Sequence, residues 1–351
     1  MANSRLGVVI VTFNAADEIL DCLESLLAAS DVQLEIVVVD NASDDDTLAR
    51  IASWASGDKA YLCPEDSPLE ITATPKPITI HDPDAALGQD GHHITLIDTG
   101  VNAGFAGGVN RGLAHLAARP EVTRFWVLNP DSVVTPETPG ALSRHDTPAD
   151  WGMMAARILY YNTPDTIQND GGTINWLTGV TSNLNLFSKF ADTAAPDGEQ
   201  MQFIPGASMV VTRQFYDQVG PMDESYFLYY EEVDWALRRG ALRLAMCPEA
   251  IVYHKAGTAI GSPTLGRPAS SFSLYFKHRA RLRFIKRFRP LSLPTAWAFT
   301  IAKAAQLALK GFRPEAIATL RGGFERQPPA DVPKRLDAAA MAQAFSDARP
   351  S

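Results

Sequence analysis

The stretch LGVVIVTFNAADEILDCLESLLAASDVQLEIVVVDN (residues 6–41) sets two apolar runs on either side of an amphipathic segment. LGVVIVTF (6–13) is continuous, bounded by turn residues, and reads as a buried strand. In DEILDCLESLLAA (17–29), Ile19, Leu20, Leu23, Leu26 and Leu27 recur at helical spacing. LEIVVVD (34–40) is a second buried strand. The following NASDDDTLARIASWA places Ser43 and three aspartates ahead of a helix that turns Leu48 and Ile51 inward. Strands alternating with helices predict a parallel, doubly wound α/β sheet.

Outward from this core the pattern breaks and resumes. Residues 57–92 carry prolines and acids without a sustained period and read as an insertion. HITLIDT (93–99) returns to a strand. GVNAGFAGGVNRGLAHLAA (100–118) is a glycine-rich turn leading into a helix with Val109, Leu113 and Leu116 on one side, and FWVLN (125–129) is a fourth strand. GMMAARILY, FIPGASMVVT and AIVYH then suggest a mixed second half, interleaved with loops and the short helix YYEEVDWALRRG. The expected organisation is one α/β domain over 1–260, a basic helical segment over 261–325, and a disordered tail rich in Pro and Ala over 326–351.

At 351 residues, 46% hydrophobic and 20% charged, the chain has the composition of a globular protein. Cys22, Cys63 and Cys247 lie far apart without metal-type spacing, which fits a reducing cytoplasm. The N-terminal apolar run is too short for a signal peptide. The net charge of −9 hides an asymmetry: residues 255–314 hold twelve Lys or Arg and no Asp or Glu. Such a block, densest in YFKHRARLRFIKRFRP (275–290), is expected to meet phosphates, of lipid headgroups at an anionic inner membrane face or of nucleic acid, or else to dock on the acidic remainder of the chain. LSLPTAWAFTIAKAAQLAL (291–309) is broken by Pro294 and Lys303 and reads as an amphipathic or core helix, not a span.

Ligands of open parallel sheets bind beyond the carboxyl ends of the strands. Asn14, Asp40 and the Asn129-Pro130-Asp131 of LNPDSVV fall at those ends. Turn formation explains Asp40 equally well, through Asn41 and Ser43. The glycines of NAGFAGGVNRG match neither G-x-G-x-x-G nor a P-loop, which argues against a nicotinamide enzyme and a P-loop NTPase. They serve either a phosphate's approach or close helix packing. FLYYEEVDW (227–235) crowds Glu231, Glu232 and Asp234 behind aromatic residues. This is either a solvated helix start or a site that needs a base. His254 ends the strand AIVYH.

VVIVTFNAADEILDCLESLL, IVVVDNASDDDT, NAGFAGGVNRGL, LNPDSVV, GASMVVTRQFYDQVGPMDESYFLYYEEVDWALR and AIVYH occur in the order found in family 2 glycosyltransferases. The chain resembles that family over residues 5–260 and is most similar to its bacterial rhamnosyltransferase-like branch. The resemblance implies a GT-A nucleotide-sugar fold in which Thr12, Asn14 and Asp40 hold the donor's base and ribose. Asn102, Gly104 and Asn110 line the nucleotide side. Asp131 takes the place of the metal-binding carboxylate of the D-x-D motif, and His254 that of a later metal-ligating histidine. Glu231 and Glu232 match the acidic pair whose second member acts as base. Two positions depart from the pattern: Asn129 stands where the first acid of D-x-D is expected, and Glu232 replaces an aspartate.

The activity so implied is inverting transfer of a sugar, dTDP-rhamnose being the favoured donor, with Mg²⁺ or Mn²⁺. The acceptor would be a glycan or lipid-linked glycan of surface polysaccharide, and no nucleic acid is expected. The rival readings are a sugar nucleotidyltransferase, whose usual glycine-rich loop VTFNAADE lacks, and a non-catalytic binder signalled by Asn129.

Overall fold

The computed structural model describes residues 5–85, 88, 90–255 and 268–345. Strands β1 (Arg5–Thr12), β2 (Gln33–Asp40), β3 (Ile80–His81), β4 (His93–Asp98) and β5 (Val122–Leu128) alternate with helices α1 (Ile19–Leu27), α2 (Thr47–Ser56) and α3 (Gly104–Ala117). The strands pair in parallel in the order β3-β4-β2-β1-β5. Both faces of this sheet are covered, which is why its strands read as unbroken apolar runs. Leu6, Val8 and Ile10 of β1 pack with Ile19, Leu23 and Leu26 of α1. Val9 and Val11 point to the other side, against Val109, Leu113 and Leu116 of α3.

The second half comprises β6 (Ser132–Val134), α4 (Thr138–Arg144), β7 (Trp151–Tyr160), β8 (Thr163–Asn169), β9 (Gly172–Ile174), β10 (Thr181–Asn183), β11 (Ser208–Thr212), α5 (Arg213–Val219), α6 (Glu231–Leu237) and β12 (Arg243–His254). The sheet continues from β5 as β11-β7-β12-β6. β11 runs antiparallel to both its neighbours, β12 parallel to β7, and β6 antiparallel to β12. The strand expected from FIPGASMVVT is confined to its last five residues. At the sheet's margin, β6 is three residues long and the amide of Val134 donates to Ser25 Oγ of α1 (3.2 Å). The opposite margin, β3, has two residues.

The glycine-rich segment resolves into two uses. A Cβ on Gly108 or Gly112 would press on Val11 or Val9 at 2.6 and 2.5 Å, so these two let α3 lie close on the sheet. Gly104 has φ +74°, and a Cβ there would run into the carbonyl oxygen of Phe227. In α2 the inward residues are Ile51, Trp54 and Ala55, with Leu48 only half-buried. The helix start is tied by Asp45, which accepts from Thr47 N (2.9 Å), because Ser43 is drawn instead to Asp40. Residues 57–79 lack regular structure but are anchored, with Lys76 Nζ 2.7 Å from buried Glu24 and Ile71 packed against Val133 and Tyr161.

Helices α7 (Ser271–Phe288), α8 (Leu293–Leu309), α9 (Arg313–Gly323) and α10 (Ala338–Ala344) complete the fold. Part of the basic run in α7 is turned inward. Arg279 and Arg281 are buried, Arg281 donating to Ala296 O and Thr300 Oγ1 and Arg279 to Ala344 O. Arg287 pairs with Asp223 (2.8 Å) and Asp234 (2.9 Å). These arginines bind α7 to its neighbours, while Lys286 and Arg289 stay exposed towards its end. The region expected as a disordered tail carries α10, and Val332, Ala344 and Phe345 pack with Phe227, Tyr275 and Phe276. Among the described residues no helix is long and apolar enough to cross a membrane.

Candidate active site

Asn14 follows β1, Asn41 follows β2, and Asn129 follows β5 at the carboxyl edge of the parallel strands, where a cavity of about 340 Å³ opens. Asn102, Gly104, Asp131, Glu231 and Glu232 also line it. Residues 120 and more apart meet here because of the strand order. β6 pairs antiparallel with β12 and sets Ser132 opposite His254, which brings the preceding Asp131 to the histidine. His254 Nε2 lies 3.1 Å from Asp131 Oδ1 and 3.2 Å from Asn129 Nδ2. On the far side of the ring, Nδ1 is 2.6 Å from Gln168 Oε1. The Gln168 amide is itself oriented, since its Nε2 donates to the His254 carbonyl (3.2 Å). Nδ1 thus carries a hydrogen, and Nε2 is the ring nitrogen that faces Asp131.

Two electron-rich atoms at 3.1 Å need a proton or a cation between them. A carboxylate beside an imidazole whose distal N–H is held by an amide oxygen is a donor set suited to a divalent metal. The residues present fit such an ion. Asn129 contributes an amide where a second charge was expected, and this amide braces the imidazole.

The opposite chemistry gathers at α6. Phe227, Tyr229 and Tyr230 have φ of 64°, 71° and 70°, a conformation that side chains other than glycine's adopt at a cost of about 1–2 kcal/mol each. The loop is pinned by Phe105 N donating to Phe227 O (3.0 Å) over Gly104, by Tyr229 Oη with Ser273 Oγ (2.9 Å), and by Tyr230 Oη donating to Gly179 O (2.7 Å). This strained entry delivers Glu231 and Glu232 to the cavity at the first turn of α6. Glu231 is 3% exposed and its Oε2 has no hydrogen-bond partner among the described residues. Burial and the neighbouring Glu232 charge push its carboxyl well above the usual range. Glu232 is half-buried. Burial raises it to about 7, against the pull of the backbone N–H groups at the helix start and of Lys277. Burial thus favours the protonated form of Glu231 and strengthens Glu232 as a proton acceptor. Asp234 faces away, its carboxylate taken by Arg238 (2.7 Å), Arg287 and Tyr226.

Four sequence candidates do not reach the cavity wall. Asp40 is fully buried and accepts from Thr12 Oγ1 (2.8 Å), Ser43 Oγ (2.7 Å) and Ser43 N (2.9 Å). Thr12 and Asp40 therefore shape the loop that carries Asn14 and Asn41. Asn110 clamps the 222–224 turn, with Nδ2 donating to Met222 O (3.0 Å) and Oδ1 accepting from Met222 N (2.8 Å). His254 acts from behind Asp131. Sequence reasoning missed Glu18, Phe272, Arg335 and Leu336, which also line the cavity. Arg335 and Leu336 come from the segment read as tail, and no local pattern marks them. Away from this site, His145 Nδ1 (3.5 Å) and Cys247 Sγ (3.6 Å) both approach Glu249 Oε2, and burial pushes the Cys247 thiol up to about 12.

Residues 7–66 match the family described as Glycosyl transferase family 2. A low-salt glycan biosynthesis hexosyltransferase, Agl10, of Haloferax volcanii is 23% identical over 256 residues, which are 71% of this chain and 66% of that protein, just under two thirds of its length. An N-acetylglucosaminyl-diphospho-decaprenol L-rhamnosyltransferase of Mycobacterium tuberculosis is 25% identical over 292 residues, 77% of this chain and 82% of that one. Among solved structures, GalNAc-T7 with UDP, GalNAc and Mn²⁺ superposes with a TM-score of 0.54 at 13% identity, covering 95% of this chain and 58% of that chain. That likeness speaks to the fold.

Proposed function

We propose that this chain is a family 2 hexosyltransferase with a GT-A fold that performs an inverting, divalent-metal-dependent transfer of rhamnose from a nucleoside-diphosphate donor to a lipid-linked glycan. The observation that carries this reading is one cavity walled both by Asn129 and Asp131, backed by His254, and by the Glu231–Glu232 pair. Asp131 and His254 would hold Mg²⁺ or Mn²⁺, which when bound neutralises the charge of a diphosphate leaving group. Asn14, Asn41, Asn102 and the backbone at Gly104 supply polar contacts on the nucleotide side, on loops that Thr12, Asp40 and Asn110 keep in shape. Glu232 accepts the proton of the acceptor hydroxyl as its oxygen attacks C1 and the C1–O bond to the diphosphate breaks, inverting the anomeric centre. Glu231, whose burial favours its neutral form, lies beside it in the same helical turn.

Rhamnose and a lipid-diphosphate acceptor are supported by the name of the mycobacterial relative. dTDP-rhamnose is the donor we favour. Arg335, a cation at the cavity wall, suits an anionic group on either substrate. The test is incubation with dTDP-rhamnose, UDP-linked sugars and GDP-mannose, with and without Mn²⁺, following release of nucleoside diphosphate. Turnover of dTDP-rhamnose ahead of the others is the expected outcome. Binding without turnover would indicate a non-catalytic protein, and conversion of dTDP-rhamnose to dTTP and sugar 1-phosphate on adding pyrophosphate a nucleotidyltransferase.

A further inference from the structure

Six of the large apolar side chains left exposed by the fold fall within residues 291–324: Leu291, Trp297, Ile301, Leu309, Ile317 and Phe324. They belong to the α8–α9 hairpin and its entry. α8 turns Ala296, Thr300, Ala304 and Leu307 inward, so Trp297, Ile301, Ala305 and Leu309 form a stripe at four-residue spacing on its outer face. Trp297 stacks on Phe324 at the end of α9, with centroids 6.2 Å apart, which joins the two helices into one apolar surface. Exposure is 52% at Ile301, 90% at Leu309 and 96% at Leu291. Soluble proteins rarely leave so continuous a face uncovered.

Its rim is predominantly basic, with Glu325 beside Phe324 paired to Arg283. Lys286, Arg289, Lys310, Arg313, Arg321 and Arg326 are exposed around it, and the only acid between residues 286 and 324 is Glu315. This contrasts with the net charge of −9 for the whole chain. We propose that the α8–α9 hairpin is an interfacial docking surface for an anionic lipid bilayer, lying flat with its apolar stripe at the acyl boundary and its cations among the phosphates. An apolar helix face bordered by Lys and Arg, with aromatic and aliphatic side chains outward, has the physical makeup of an interfacial helix. The same charge block was legible in the sequence, but the structure divides it: Arg279 and Arg281 are buried on internal partners, while Lys286 and Arg289 at the end of α7 join the rim of this surface. The surface also has an orientation: the chain leaves it at Phe324 and reaches the cavity wall eleven residues later, at Arg335. A lipid-anchored substrate would thus be met beside the site, although the docking inference itself does not depend on that reading.

The experiment is flotation of the full chain with vesicles of phosphatidylcholine containing about a third phosphatidylglycerol, against pure phosphatidylcholine, at low and high salt. Association with the anionic vesicles at low salt, weakened by salt, is expected. Ile301→Asp with Leu309→Asp should reduce it at least tenfold, and Lys310→Glu with Arg313→Glu by a comparable factor, since each cation near an anionic leaflet contributes roughly fivefold in partitioning. Donor hydrolysis in solution should be unchanged in both variants, which also reports that they fold. No association of the wild type at low salt, or association undiminished in both variants, overturns the proposal. So does a concentration-dependent dimer without vesicles that Ile301→Asp with Leu309→Asp abolishes, since the occupant would then be a second copy of this chain.

Discussion

Replacing Glu232 by Gln removes the basic oxygen while keeping size, shape and the ability to accept the backbone N–H groups at the start of α6. The wild-type carboxyl titrates near 7, so about half is ionised at neutral pH and nearly all above pH 8. The rate should therefore rise about tenfold per pH unit below that point and level off above it. Loss of a general base lowers turnover by about 10²–10⁴, or roughly 3–5 kcal/mol of transition-state stabilisation. Glu232→Gln is expected to show that loss, a flattened acid limb, and nucleoside diphosphate affinity close to wild type. Glu231→Gln should behave differently, because Gln mimics the protonated carboxyl that burial already favours; a change under about tenfold is expected. The assay is steady-state release of nucleoside diphosphate across pH 5–9, with calorimetry for binding. Wild-type turnover in Glu232→Gln together with its loss in Glu231→Gln would refute the assignment and move the base by one residue. Wild-type turnover in both would remove the acid pair from the chemistry.

Two further outcomes test the rest of the site. Asp131→Asn and His254→Ala should abolish the Mn²⁺-dependent part of the thermal shift produced by dTDP, while Gln168→Leu, which frees the Nδ1–H from its acceptor, should weaken Mn²⁺ by about 10–100-fold in a calorimetric titration. Gly104→Ala puts a side chain at φ +74° against the Phe227 carbonyl; urea unfolding should show a loss of about 2 kcal/mol or more, with turnover falling as the 227–230 loop shifts.

The parallel half of the sheet was readable because burial on two faces writes itself into sequence as uninterrupted Val, Ile and Leu, and because α1 and α3 carry clean helical spacing. The second half was harder: β6 and β9 have three residues each, and nothing local separates such strands from loops. Asn14, Asn102, Gly104, Asn129, Asp131, Glu231 and Glu232 do converge on the cavity, as strand-end position and family resemblance suggested. Asp40 illustrates the limit of that reasoning. Its position after β2 is that of a ligand contact, yet Thr12 and Ser43 consume its oxygens, a fact that depends on three backbones meeting. Arg335 shows the converse. A residue in a Pro-rich, weakly patterned segment becomes part of the wall only because Val332 and Phe345 fasten that segment to α7. The direction of α7's arginines was likewise illegible, since a run of like charges has the same appearance whether it faces solvent or carbonyl oxygens.

The short margins of the sheet bear on how the protein behaves at high concentration. An open strand edge is a template for pairing with another chain, and long flat edges seed aggregates. Here one edge ends in two residues and the other in three, with the Val134 amide already occupied by Ser25 and Val133 overlaid by Ile71 from the irregular 57–79 segment. That segment, which contributes no regular structure, is thereby a guard against self-association at the strand that positions Asp131. Trimming it to make a tidier protein would strip buried Glu24 of Lys76 and uncover Val133 at an edge made adhesive.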